Sequence, residues 1–215
     1  AEAISLASLG RAPEAHTRVD RVLEVEPEMA YARLVRALVL IVAGDSGQAQ
    51  SVIDGLRPAV EEGRLRPEWL ATASDYVALE RVLRTGEASA EEREAESRLM
   101  ALASGRFPFP RWESASAMVA PLLSRFGKVE EAIALMEARA SLGVAENYEF
   151  LVLAPDLQPL RGEPRFQAIM QRARPEFEEL MALLEAARQR GEMPGYLGLT
   201  IEEVRRLVAP GAAGN

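Results

Sequence analysis

One histidine, His16, and no cysteine set the limits of what this 215-residue chain could catalyse. A lone imidazole excludes a histidine-rich metal site, and the lack of thiols excludes disulfides, thiolate zinc, iron–sulfur clusters and thiol nucleophiles. It assigns no compartment, because reducing and oxidising spaces both tolerate such chains. His16 follows Ala15 in a helical pattern with Glu14 and Asp20 nearby, which reads as a surface or groove-edge position. Gly127-Lys128 lacks the upstream glycine of a phosphate loop, and no serine stands in a nucleophile elbow. The carboxylate runs Glu91, Glu92, Glu94, Glu96 and Glu176, Glu178, Glu179 could pair for acid–base or cation chemistry. At amphipathic spacing beside arginines they read as solvated helix faces, and neither run has the turn glycine of a calcium loop. The reading is of a non-enzymatic chain with no cofactor and no metal.

Composition narrows the partners. A chain with 48% hydrophobic and 27% charged residues can bury a core, and its 6% aromatic content favours helices packed through Ala and Leu. The net charge of -8 argues against nucleic acid, whose phosphates need a basic surface. The longest apolar run, Leu38 to Ala43, falls far short of the roughly 20 residues that span a bilayer, so membrane insertion by this segment is not expected. The opening AEAISLASLG is already helical in pattern, without a start methionine or signal-like stretch. It suggests a fragment or processed chain and leaves the compartment, cytoplasmic or periplasmic, unassigned.

The elements that would position any site are helical hairpins. Gly10 and Ala15 recur 34 residues later as Gly44 and Ala49, and the same interval of five returns at Gly127 and Ala132. Residues 1–9 and a helix carrying Ala15, Val19, Val22 and Leu23 form the first hairpin, punctuated by Pro13 and Pro27. The second runs from Glu28 to Ala43 and from Gln48 to about Glu62, where Pro58 should kink or shorten the helix. Between them and the fourth hairpin, Trp112 to Phe126 and Val129 to Leu142, lies an enlarged pair over 67–104, with Ser89 as a helix cap. Phe107-Pro108-Phe109-Pro110 predicts a rigid connector. Beyond the fourth hairpin, Glu146 to Leu153 and Pro164 to Arg174 predict further helices, and Pro175 opens or kinks into a long one through Arg190. Thr200 and Glu203 predict a capping box for a last one.

These residues resemble the tetratricopeptide repeat family. Gly10, Ala15, Val19, Val22 and Pro27 match the second half of one repeat; Ala37, Leu40, Gly44, Ala49, Ile53 and Leu56 match most of the next. Ala120, Leu123, Gly127, Ala132 and Met136 match a later one, in the stretch GKVEEAIALMEA. The segment from Ala154 to Phe166 is similar to the closing run of many bacterial arrays, which often follow a DNA-binding, cyclase or membrane segment. In physical terms, Arg161, Arg165 and Phe166 read as a structural cap.

The resemblance implies an all-α right-handed superhelix of antiparallel hairpins (an α-solenoid) over 1–142, C-terminal capping helices over 143–209 and a flexible tail over 210–215. It also implies a scaffold or regulatory module that binds a peptide or partner protein in a concave groove. Tyr31, Leu34, Leu38 and Ile41 are the expected lining in the second repeat. That apolar lining lacks the Lys and Asn of a carboxylate clamp for chaperone tails. The C-terminal helix around Phe177 to Leu184 could fold back over it. Self-association is the rival within the binding class. The alternative from another class is a small-molecule sensor domain of a larger bacterial regulator or cyclase-type protein, which an enclosed pocket lined by Tyr31 or Tyr76 and a buried arginine would mark.

Overall fold

The computed structural model describes residues 2–104, 113–141, 147–192 and 201–208, and all regular structure within them is helical. The Phe107 to Pro110 connector, Trp112, Thr200 and the tail from Pro210 lie outside the described residues. Helices α1 (Glu2–Ser8) and α2 (Ala12–Val25) form the first hairpin; α3 (Ala30–Ala43) and α4 (Ser46–Asp54) form the second. The short α5 (Arg57–Glu61) follows, then the long pair α6 (Pro67–Thr85) and α7 (Ala90–Ala103). The fourth hairpin is α8 (Glu113–Arg125) and α9 (Val129–Ser141). Helix α10 (Tyr148–Leu153), a 3-10 helix (Pro155–Leu160), α11 (Pro164–Gln189) and α12 (Ile201–Val208) complete the described chain.

Two prolines act differently from one another. Pro58 divides the second helix of its hairpin, as its missing amide requires: α4 stops at Asp54 and Pro58 sits in the first turn of α5. Pro175, expected to open a helix or to kink one, lies inside one continuous α11 of 26 residues rather than at the start of a separate helix. The carbonyl it leaves without a helical donor belongs to Gln171, which is exposed and open to water.

The recurring glycines share one conformation. Gly10, Gly44 and Gly127 have φ of 78°, 87° and 75°, the left-handed region that costs a residue with a Cβ about 1 kcal/mol or more. In each turn the glycine amide donates to the carbonyl three residues back, and the next amide to the one five back. The pairs are Gly10 to Ala7 and Arg11 to Leu6, Gly44 to Ile41 and Asp45 to Leu40, and Gly127 to Ser124 and Lys128 to Leu123, all at 2.9–3.0 Å. This is the Schellman closure, and it satisfies carbonyls that a helix end otherwise leaves bare. The following helix starts at once, and its first intrahelical amides are those of Ala15, Ala49 and Ala132, each 3.0 Å from its acceptor. All three alanines are 0% exposed, so a methyl fills the space between the two helices of each hairpin.

The third hairpin is built otherwise. Gly86 is left-handed at φ 73°, but its amide reaches Val82 four residues back in the simpler closure. Three more residues then precede α7. There Ser89 and Glu92 form a reciprocal capping box, with Glu92 accepting from the Ser89 amide at 2.7 Å. That bond holds the Glu92 carboxyl below its usual range. Across this hairpin Arg98 clasps the buried Asp75 at 2.6 and 3.0 Å, and Arg81 reaches Glu92 at 2.7 Å.

Packing is sequential at first: α2 packs on α3, α4 on α6 and α7 on α8, while α1 meets α3 and α3 meets α6. It then closes on itself. α8 touches α1, and the 3-10 helix packs on α8. A Cβ on Gly10 would stand 2.8 Å from Cγ of Pro155, so the first turn and the 3-10 helix are in close contact. One core runs through the hairpins to Phe166 and Ile169 of α11. A second, smaller cluster joins Phe177 and Met181 of α11 to Val152 of α10 and Val208 of α12. Arg165 staples α11 to α9 through Glu130 and Glu137, at 2.7 and 2.5 Å.

Because Ala49 has no free space, Ala49→Leu should lower unfolding free energy by about 1–3 kcal/mol in urea titrations. Leu183→Ala, at a side chain 62% exposed, should change it by less than about 0.5 kcal/mol.

Candidate functional site

Two places merit description: the inner face where the first helices of the hairpins converge, and the exposed corner between α2 and α3. At the first, Ser8 of α1, Ile41 of α3, Tyr76 of α6, Leu122 of α8 and Asp156 of the 3-10 helix line one small cavity. Its volume is about 20 Å³, room for about one water. The four residues expected to line an open groove separate here. Leu34, Leu38 and Ile41 are 0%, 1% and 1% exposed and belong to the core, while Tyr31 remains 43% exposed. The physical reason is that α3 is packed on several sides by α1, α2, α4 and α6; only Ile41, near its end, also meets the cavity that Leu122 and Asp156 line. The α11 segment from Phe177 to Leu184 does not cover this face, since Phe177 and Met181 pack against Val152 and Val208.

Arg125 holds the closure. Its guanidinium grips Asp156 through Nε to Oδ1 at 3.0 Å and Nη2 to Oδ2 at 2.5 Å, with both side chains about three-quarters buried. Nη2 also donates to the Val42 carbonyl at the end of α3. With Leu40 and Ile41 carbonyls taken by the Gly44 turn, this bond satisfies a third terminal carbonyl and places a cation at the negative end of the helix. Neither Arg125 nor Asp156 stands out in the sequence as a pair, since 31 residues separate them. The signal that was legible is Asp156 in the closing run that also carries Phe166, which is 0% exposed.

The buried carboxylates of α6 escape the sequence reading, which of the buried polar groups there marks only Tyr76, as core or pocket lining. Asp75 and Glu80 are 8% and 3% exposed, and the Tyr76 hydroxyl is fully buried with no hydrogen-bond partner. Burial pushes the Tyr76 phenol well above its usual range, opposed by the charge of Arg139. One oxygen of Glu80 lies 3.7 Å from Arg84 while the other has no partner. The clue in the sequence is an apolar pattern on almost every side of α6, which leaves an acidic residue nowhere to reach water.

The residues read first for catalysis are dispersed. His16 lies half-buried on α2 and makes no hydrogen bond or ion pair. Glu92 serves the capping box and Glu178 lies 3.6 Å from Arg174. Among the described residues no three His, Cys, Asp or Glu side chains stand close enough to hold a metal ion, and no helix is long and apolar enough to cross a membrane.

The second place is the corner between α2 and α3. Val22, Val25, Met29 and Tyr31 are 42%, 80%, 38% and 43% exposed, within ten residues of chain. Val22 lies outside because Ala15 and Val19 alone form the buried stripe of α2. The Tyr31 ring meets Trp69 edge-on with centroids 5.5 Å apart, and the Arg66 guanidinium lies 5.4 Å from the Trp69 ring centre. Such an edge-to-face pair fixes both rings at modest cost in chain entropy.

Two substitutions test the inner face. Arg125→Ala leaves Asp156 without its partner and should cost about 1–3 kcal/mol, between the values for exposed and buried pairs. Tyr76→Phe removes an unsatisfied hydroxyl and should be neutral or stabilising by about 1 kcal/mol in the same urea titrations. A loss of that size would mean that the hydroxyl is bonded to a water in the cavity. No family model, curated protein or solved structure matches this chain, so the geometry of these two places carries the functional argument.

Proposed function

We propose that the chain is a protein–protein interaction module, a tetratricopeptide-like array of stacked hairpins that meets a peptide or partner protein at the α2–α3 corner. The observation that carries this reading is the clustering of Val22, Val25, Met29 and Tyr31. They are four of the six large hydrophobic side chains exposed among the described residues. Scattered apolar surface needs no explanation, whereas four neighbours around one helix–helix corner form a patch of the kind that partners cover. The Schellman turns at the 34-residue spacing and the alanines packed behind them support the repeat arrangement.

The partner surface is the outer corner because the inner one is filled by the chain's own side chains. Tyr31 belongs to both descriptions: it is the exposed member of the expected groove and the end of the corner patch. A sensor for small molecules finds less support. The cavity beside Tyr76 and Arg125 has room for about one water, against the several hundred Å³ that a typical ligand site needs.

Affinity capture with the wild type and a Val25→Asp/Met29→Asp variant tests the reading. Both side chains are exposed, so the variant should melt within about 2 °C of wild type while losing the captured partners. Capture of the same partners in the same amounts would refute it.

A further inference from the structure

The corner is apolar and acidic at once. Between Val22 and Tyr31 the chain reads Leu23-Glu24-Val25-Glu26-Pro27-Glu28-Met29-Ala30, and residues 24–29 are all exposed. Among the described residues the side chains of Glu24 and Glu26 make no ion pair or hydrogen bond; the Glu28 carboxylate, 84% exposed, lies 3.7 Å from Arg33, and Arg64 donates to the Glu28 carbonyl at 3.5 Å. Some surface carboxylates are matched, Glu14 by Arg11 at 2.6 Å, Asp20 by Arg36 at 3.0 Å, and Glu130 and Glu137 by Arg165, while others such as Glu91, Glu176 and Glu179 make no ion pair among the described residues; what sets Glu24 and Glu26 apart is that they flank exposed apolar side chains. The cations nearby are Arg21, one turn back on α2, Arg33 beside Glu28, Arg64 between Glu62 and the Glu28 carbonyl, and Arg66 over the Trp69 ring. Glu24 and Glu26 thus stand beside Val25 and Met29 with carboxylates that no cation among the described residues pairs.

Resting on the functional reading above, we propose that the occupant of this corner is a basic amphipathic helix, with apolar side chains covering Val22, Val25, Met29 and Tyr31 and Lys or Arg reaching Glu24, Glu26 and Glu28. Charge complementarity selects this occupant. A second copy of the chain in a two-fold contact would set these carboxylates against their own equivalents, and like charges across an interface oppose association. A neutral apolar segment would leave them unpaired at the rim. The basic segment gains rim pairs, which steer encounter and fix register, and the apolar patch supplies the buried area.

The test uses the full chain and a labelled helical peptide of about 18 residues, Leu at the i, i+3, i+4 positions and Lys elsewhere, followed by fluorescence anisotropy. Saturable binding is expected, weakened roughly fivefold or more by Glu24→Gln/Glu26→Gln, as two exposed charge pairs would give. Val25→Ser/Met29→Ser should weaken it at least as much, and the remote pair Glu176→Gln/Glu179→Gln should leave it within about twofold. Raising salt from about 0.05 to 0.5 M should weaken it further. Tight binding of a Glu-for-Lys or Ser-for-Lys peptide, lost in Val25→Ser/Met29→Ser, would overturn the charge assignment and leave the corner as a docking surface. Equal effects of the two carboxylate pairs would overturn it as nonspecific attraction. A concentration-dependent dimer in sedimentation, abolished by Val25→Ser/Met29→Ser, would show a second copy as the occupant and overturn it too. No binding up to about 1 mM peptide would overturn it. If Val25→Asp/Met29→Asp also retains every captured partner, the functional reading falls with it.

Discussion

A glycine held in the left-handed region, followed five residues later by an alanine with no space around it, is the constraint on which three of the four hairpins depend. The glycine reverses the chain within one residue while its own amide and the next one close the carbonyls of the finished helix. The alanine then lets the second helix approach the first at the distance that a methyl allows. Larger side chains at Ala15, Ala49 or Ala132 would separate the helices, and every later contact would shift with them. The third hairpin lacks this alanine and is longer, and it replaces close approach with polar ties, Arg98 to Asp75 and Arg81 to Glu92. Its inner helix, α6, is also where unsatisfied groups accumulate, as expected of a segment outside the regular pattern.

Amphipathic hairpins must hide their inner faces, and this chain does so with the helices stacked around α3 and, near the end of α3, with its own fourth hairpin and 3-10 helix. The contact is specific because a bidentate arginine has one good approach to a carboxylate, and Arg125 places a third N–H on the end of α3. Three elements far apart in sequence are thereby set by one side chain. The outer corner is what stays apolar and uncovered after that closure, so the two places are linked: filling the inner face leaves the rim as the surface open to a partner.

Much of this architecture was legible in the residues. The spacing of Gly10, Gly44 and Gly127 located the turns, Pro58 located the break between α4 and α5, and Ser89 located the start of α7. These features act over a few residues, where local sterics and hydrogen bonds decide. The burial of Leu34, Leu38 and Ile41 was not legible, because it depends on how α1, α2, α4 and α6 stack around α3, which the spacing along one helix does not give. Nor was the exposure of Val22 and Val25, since an apolar residue late in a helix reads as core until the neighbouring helix is placed. Pro175 shows the opposite limit. Its effect on α11 was judged from the lost amide alone, whereas side-chain packing on both sides of it holds the helix together.

That proline sits on a border. Before it, Phe166, Ile169 and Ala173 are anchored in the large core; after it, Phe177 and Met181 rest on a cluster with only two other buried side chains among the described residues. A helix that crosses from a deep core to a shallow one has a graded free energy of opening along its length. The missing amide at Pro175 marks where that gradient steps, because one fewer hydrogen bond ties the two halves. Thermal fluctuation should therefore open the distal half of α11 and α12 first, while the hairpins and Leu151 of α10 stay in the large core. By that gradient one helix is both a fixed strut of the array and a segment that can lift from it.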